Sequence, residues 1–537
     1  MSASEWADSE IIAAEPDKAP ATPLATAMPR FAAMATATVA VLSSDMKASV
    51  PYCGYGYAPS VHSGAEVLVA SNRGPVAFRL GEDGRLQLAR GGGGLVSGVS
   101  AVATHASAVW VCAALSEADR MAATAAPSGR LDQAGHDMGG AAVRMLPIED
   151  RTFRRAYNAV ANSTLWYVNH TLFDTPRIPV FDSRWARNWQ AYVDYNTAFA
   201  EALAEEANEG AKVLVQDYHL LLTPALLRQR RPDLRIGHFT HTPWAEPSYF
   251  SLLPDEVTTQ ILTGMLGADS LGFLSPRWAE AFVRCCVRLL GADAGGTSVH
   301  YDGRSTRVAV HALGVDADEL RERAAQPDVL ARRDVLQRRV GNAQVMVRVD
   351  RTELSKNIVR GLAAYRELLR NYPEHRGRVV HIVFAYPSRH DLPDYRAYTA
   401  EVQRVAREID DEFATADWSP MLLEVNDDYA RSLAALQIAD VLVVNPLRDG
   451  MNLVAKEGPV LSERGVSVVL SREAGAADEF SADALLVNPY DVTSTAARMH
   501  EALCMTSDER RAHTEVLAKA ASALPPSAWL AAQLAAL

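Results

Sequence analysis

The chain has 537 residues, 48% hydrophobic and 22% charged, with a formal charge of −12. That length is too great for one core and suits two large domains with a tail, and the composition is ordinary for a soluble globular protein. The acidic excess argues against nucleic acid as the main partner, because phosphate backbones are bound through Lys and Arg; any phosphate site must be a local basic pocket.

Residues 1–62 are rich in Ala, Thr, Ser and Pro without a sustained period, which predicts a flexible extension. It lacks the cationic start, compact apolar region and cleavage site of a secretory leader, and no later run of about eighteen apolar residues could span a bilayer. Five cysteines (Cys53, Cys112, Cys285, Cys286 and Cys504) form an odd count without metal-ligand spacing. A cytoplasmic location without membrane contact follows. Strand-like runs come at 67–70, 213–215 and 235–239, then at 345–349, 379–384, 441–444 and 466–470, with helical stretches between them. This is an α/β pattern with two clusters, each large enough for its own doubly wound sheet. The predicted domains are 63–315 and 316–500. The Asp- and Arg-rich segment Asp316–Arg339 reads as a hinge or connecting helix, and residues 501–537 as a helical tail. No internal repeat at solenoid periods is present.

The most informative ten residues run from Arg448 to Glu457. They follow the apolar run Val441-Leu442-Val443-Val444, so they sit at a strand's carboxyl end, where open α/β sheets bind ligands. Gly450 permits a tight turn, the next residues can open a helix whose free N–H groups attract an anion, and Asp449 and Glu457 can accept from sugar hydroxyls. A phosphorylated sugar or nucleotide sugar is the expected ligand. Two carboxylates could also suggest a glycosidase, but their eight-residue spacing through a helix start favours binding. Arg351 ends a strand and Lys356 begins the helical run Asn357 to Leu362, so both cations can converge near a positive helix end and hold a diphosphate. His241 lies just past the run 235–239, where its imidazole can face a cleft. Gly91-Gly92-Gly93-Gly94 would let the backbone approach a phosphate closely, although four glycines alone are a weak signal.

These pieces, in order with Ser71-Asn72-Arg73, Tyr157 to Trp166, Asp217-Tyr218-His219-Leu220, His241-Thr242-Pro243-Trp244, Ser388-Arg389 and Ala474-Gly475-Ala476-Ala477-Asp478-Glu479, resemble the trehalose-6-phosphate synthases over roughly residues 65–535. The resemblance implies a GT-B fold, with two Rossmann-like doubly wound domains facing across a cleft and the tail crossing back onto the first. It implies a retaining glucosyltransferase joining a nucleoside-diphosphate glucose (UDP- or GDP-glucose) to glucose 6-phosphate, without metal or cofactor; homo-oligomerisation stays open. Donor contacts fall to Gly94, Arg351, Lys356, Asp449, Asn452, Leu453, Val454 and Glu457, and acceptor contacts to Arg73, Tyr157, Trp166, Asp217 and Arg389. Catalysis is assigned to His241, Arg351, Lys356 and Asp217. In this assignment Tyr157 supplies a hydroxyl, Trp166 an apolar wall and Glu457 a contact to the donor ribose. Two departures stand out. Glu353 takes a position usually held by aspartate, and Val111-Cys112-Ala113 follows Trp110 where many members place a second tryptophan.

Overall fold

The computed structural model describes residues 64–81, 83–90, 108–136, 138, 142–389 and 391–537. The predicted extension 1–62 and the loop Gly91–Gly94 lie outside them. The described residues form two α/β sheets in the GT-B arrangement. The first is built from β1 (Ala65–Ser71), β4 (Ala108–Ala113), β5 (Ala142–Leu146), β6 (Ala207–Gln216), β7 (Arg235–Thr240), β8 (Ser270–Phe273) and the edge strands β9 (Asp293–Gly295), β10 (Ser298–Tyr301) and β11 (Arg304–Val310). Between β1 and β4, β2 (Val76–Leu80) and β3 (Leu86–Arg90) make a separate antiparallel hairpin. The second sheet contains β12 (Gln344–Arg351), β13 (Val379–Tyr386), β14 (Met421–Glu424), β15 (Val441–Val444), β16 (Ser467–Ser471) and β17 (Leu485–Val487).

Strand order is β5-β4-β1-β6-β7-β8-β11-β10-β9 in the first sheet and β14-β13-β12-β15-β16-β17 in the second. Six consecutive pairs of the first sheet, from β5 to β11, are parallel, as are all pairs of the second. The chain therefore winds outwards from β1 and β6 in one sheet and from β12 and β15 in the other. Each of those pairs is a topological switch point, where a crevice opens beyond the strands' carboxyl ends. Helices cover both faces, which is why β15 buries all four of its residues and reads as an unbroken apolar run.

One local reading is narrowed and one changes. The segment Asp316–Arg339 is two helices, Ala317–Ala324 and Pro327–Val340, with Pro327 starting the second. Leu320, Val329, Leu336 and Val340 join the core containing Val345 and Val347, so the segment is packed structure and not a bare hinge. Lys356 closes a three-residue 3-10 turn (Leu354–Lys356), and the following helix runs well past Leu362, from Ile358 to Asn371. Asn357 joins the two with φ +57°, held by hydrogen bonds from its side-chain amide to the carbonyls of Asn445 and Pro489. At the C-terminus the helix Pro526–Ala535 lies on the first sheet. Trp529 packs edge-on to Phe239 and donates to the His311 carbonyl, while Lys212 of β6 donates to the Leu534 carbonyl.

Candidate active site

Both strands flanking the second switch point deliver charge to one place. β12 ends at Arg351 and leads through the short turn to Lys356; β15 leads to Asp449. Lys356 Nζ donates to Asp449 Oδ2 at 2.5 Å, and Asn452 Nδ2 donates to the same oxygen at 3.1 Å. Burial opposes charge on Lys356, but Asp449, Asp350 and Glu353 outweigh it and raise the ammonium pKa. Beneath the turn, fully buried Arg348 donates to Asp350 at 2.7 Å, to the Asn445 side chain at 2.6 Å and to the Lys356 carbonyl at 2.6 Å. These bonds fix where the lysine starts from. Asn452, with φ +74°, caps the helix Leu453–Leu461 by accepting from Ala455 N–H, and the N–H groups of Leu453 and Val454 belong to the helix's open first turn. Glu457 lies further along that helix without an ion-pair partner among the described residues, and burial pushes its carboxyl up to about 7.

Gly450 does not adopt a left-handed conformation. What it allows is close approach: a Cβ there would lie 1.9 Å from the His241 carbonyl oxygen, on the loop after β7 of the other sheet. The segment around Gly450 is thus wedged against the first sheet, and Trp278 Nε1 donates to the Gly450 carbonyl from that side.

The first switch point supplies Arg73 after β1 and Asp217 after β6. Asp217 holds φ +74°, accepts from the His241 backbone N–H at 3.1 Å, and is pushed up to about 6 by burial. The His241 ring sits 2.9 Å (Nε2) from the Gln216 side-chain oxygen and packs against Phe239 and Trp529. Burial and neighbouring His238 hold its pKa down to about 3, so it is a neutral imidazole. Arg73 is exposed; burial, then the charges of Arg389 and Arg73, depress His219 to about 3. Tyr157 stacks on that histidine at 5.5 Å.

Arg389 joins the two halves. It follows β13 of the second sheet, adopts φ +47°, and lies over the Trp166 ring at 4.2 Å while donating to Tyr395 Oη at 2.6 Å and Tyr218 Oη at 3.2 Å. Trp166 is also stacked on His170 at 3.9 Å. It is therefore less an open apolar wall than a platform for Arg389, and its Nε1–H is buried without a hydrogen-bond partner among the described residues.

Glu353 is the residue whose part the sequence reading missed. Its side chain is 0% exposed, accepts from Ser388 Oγ at 2.8 Å, and lies 3.2 Å from Arg351. Burial alone would raise its pKa, but Arg351, Arg389 and Lys356 bring it down to about 2. One carboxylate thus balances the cations of both half-sites. His170 was missed as well; it senses Asp449, Glu353 and Lys356 across the cleft, and burial keeps it neutral at about 4. Only the acidity of position 353 hinted at the first; no sequence signal marks the second. Gly94 lies outside the described residues. Ala113, in place of a second tryptophan, is buried at the end of β4, its N–H donating to the Asn72 carbonyl.

A sequence model described as glycosyltransferase family 20 matches residues 65–537. An Aspergillus niger relative named alpha,alpha-trehalose-phosphate synthase [UDP-forming] 2 is 32% identical over 474 residues, 86% of this chain and 95% of its own. An E. coli structure described as trehalose-6-phosphate from E. coli bound with UDP-2-fluoro glucose superposes with a TM-score of 0.76 at 27% identity, covering 87% of this chain and 98% of that one. A Burkholderia xenovorans alpha,alpha-trehalose-phosphate synthase (UDP-forming) in complex with glucose-6-phosphate gives 0.76 at 26% identity, covering 88% and 99%.

Proposed function

The chain belongs to glycosyltransferase family 20, and from that premise we propose that it transfers glucose from a nucleoside-diphosphate glucose to glucose 6-phosphate, making α,α-trehalose 6-phosphate in trehalose biosynthesis. The names of the relatives favour UDP-glucose as donor; GDP-glucose remains the alternative to be measured. The observation that carries the reading is the pair of switch-point crevices brought face to face, with Lys356–Asp449 on one side, Trp166 and Tyr218 on the other, and Arg389 bridging them.

In this reading residues 63–315 form the acceptor-side domain, 316–500 the donor-side domain and 501–537 the returning tail. Arg351 and Lys356 hold the donor diphosphate, helped by the first-turn N–H groups of Leu453 and Val454. Asp449 contacts the transferred sugar, Asn452 orients Asp449, and Glu457 takes the ribose. Gly94 would pass close to the donor. Arg73, Arg389, Tyr157 and the free Trp166 N–H take the acceptor phosphate, and Asp217 an acceptor hydroxyl. His241, neutral and held by Gln216, contacts the donor sugar without acting as a nucleophile.

The bond from the sugar's anomeric carbon to the diphosphate breaks as the acceptor's anomeric hydroxyl forms a bond on the same face. Its proton passes to the departing phosphate oxygen. Positioning and stabilisation of that oxygen's charge are the protein's contribution. The described cysteines are unpaired and no helix among the described residues is long and apolar enough to cross a membrane; we assign the protein to the cytoplasm.

The test is a product assay offering UDP-, GDP- and ADP-glucose separately with glucose 6-phosphate or free glucose. A non-reducing disaccharide phosphate with retained donor configuration is expected. Absence of that product with every donor would overturn the reading.

A further inference from the structure

Away from the cleft, three metal-ligating side chains converge where two packed helices end. The helix Ile358–Asn371 leads into the turn Pro373–His375, and beside it the helix Val492–Cys504 carries His500 and Cys504 four residues apart, on one face. His375 Nε2 lies 2.9 Å from His500 Nδ1, and Cys504 Sγ lies 3.7 Å from each ring nitrogen of His500. One ligand atom from each residue falls within 4.8 Å of the others. We propose that His375, His500 and Cys504 form a binding site for a borderline-soft divalent cation of the zinc type, with a water completing the set.

The donor set fits that chemistry. Two imidazoles and one thiolate suit Zn²⁺, whereas Mg²⁺ and Ca²⁺ take oxygen ligands. The geometry is close to what the ion needs: Zn–N of about 2.0–2.1 Å and Zn–S of about 2.3 Å in a tetrahedron put the nitrogens about 3.3 Å apart and sulfur about 3.6 Å from nitrogen. The spacing of Cys504 Sγ from His500 Nδ1 already agrees; the two ring nitrogens must move apart by a few tenths of an ångström, and Cys504 Sγ, which lies within 4.8 Å of the His375 ligand nitrogen, must close to about 3.6 Å from it. Two facing ring nitrogens can share a single proton, so a cation bound to both lone pairs takes that proton's place. Tyr372 stacks on His500 at 3.8 Å and 9°, which restrains its ring. His375 is buried, His500 half-buried and Cys504 exposed, so the ion would be anchored from the protein side with its water towards solvent. Glu374 precedes His375, and its negative charge reaches both His375 and Cys504, while the charge of Arg378 opposes it at His375.

The spacing of cysteines gave no sign of this site because only one of its ligands is a cysteine, and His375 comes from a distant segment. The fourteen-residue helix Ile358–Asn371 separates the cluster from Lys356 by about 20 Å at 1.5 Å per residue. Metal there would clip two helix ends together and would not take part in transfer.

The experiment titrates Co²⁺ into the full chain after chelator dialysis under a phosphine reductant. One equivalent should give the thiolate-to-cobalt charge-transfer band and intense visible bands of a tetrahedral centre, both displaced by Zn²⁺. Cys504→Ser should lose the charge-transfer band, and His500→Ala should weaken binding by tenfold or more, each with the wild-type transferase rate, which shows that the variants fold. Zn²⁺ should raise the melting temperature of the wild type and of neither variant. An undiminished charge-transfer band in Cys504→Ser would place the metal on another cysteine, and absence of tetrahedral bands in the wild type would leave a plain hydrogen-bonded histidine pair; either overturns the proposal.

Discussion

Arg351 and Lys356 are assigned the same task, yet the structure predicts that removing them has different consequences. Arg351 is 56% exposed on its side chain, and its ion-pair partner, Glu353, keeps Ser388, Arg389 and Lys356 when it is gone. Arg351→Ala should therefore leave the melting temperature nearly unchanged. If Arg351 holds the leaving diphosphate as proposed, its loss costs about 2–4 kcal/mol in the transition state, or roughly thirty- to a thousandfold in rate. Lys356 is 15% exposed and bonded to Asp449, itself 16% exposed. Lys356→Ala loses the same transition-state charge and also strands a buried carboxylate, which costs about 3–5 kcal/mol of stability when one partner of a buried pair is removed. It should lose activity and melting temperature together. Initial-rate kinetics at saturating donor, paired with thermal unfolding, separate the two. Near-normal kcat for Arg351→Ala would refute the diphosphate assignment, and an unshifted melting temperature for Lys356→Ala would refute the claim that Asp449 depends on its lysine.

Arg389→Ala should raise KM for glucose 6-phosphate at least about tenfold more than KM for the nucleotide sugar, since it removes a charge-assisted phosphate contact; equal changes, or efficient use of free glucose by the wild type, would sink the acceptor assignment. Glu353→Gln keeps the shape but removes the charge balancing Arg351 and Arg389, so kcat/KM should fall for both substrates while Glu353→Asp recovers most of it. If the glutamine variant matches wild type, Glu353 is only packing. Burial raises the Glu457 carboxyl from 4.5 to about 7. An acid held protonated in the fold binds more protons there than in the unfolded chain, so its contribution to stability falls as pH rises from about 4.5 to about 7 and is flat beyond. Melting curves across that window should show a shallower decline for Glu457→Gln than for wild type, and parallel curves would show that the carboxyl is not desolvated.

The two-sheet fold was legible because its central parallel strands are apolar on both faces; β1, β6, β7, β12, β13 and β15 contain the runs read from sequence, and β16 all but the first residue of its run. Short or exposed strands such as β9, with all three residues exposed, carry no such pattern. The residues at the ends of β12 and β15 stood out for the same reason: they are charged and directly follow buried runs. Asp217 and Arg389 drew notice only through the family's motifs, although each holds a positive φ, at +74° and +47°, that the residue type does not announce.

Gly450 shows where local reasoning stops. A glycine after a strand invites the reading of a tight turn, but its backbone there is one that other residues can adopt. The requirement comes from the His241 carbonyl, two hundred residues earlier in the chain, which leaves no room for a Cβ. Glu353 is the electrostatic counterpart. A buried carboxylate is costly unless cations surround it, and its three cations come from the end of β12, the turn after it, and the loop after β13. Nothing in the stretch Arg351 to Lys356 reveals that Arg389 completes the set. What a sequence states locally is which residues are charged and which strand they end. Whether those charges meet is decided by strand order, and here β13 lies beside β12 in parallel register, pairing Arg351 with Tyr386, so that Arg389 emerges three residues beyond. The adjacency of those two strands is what places Arg389 and Arg351 around one glutamate.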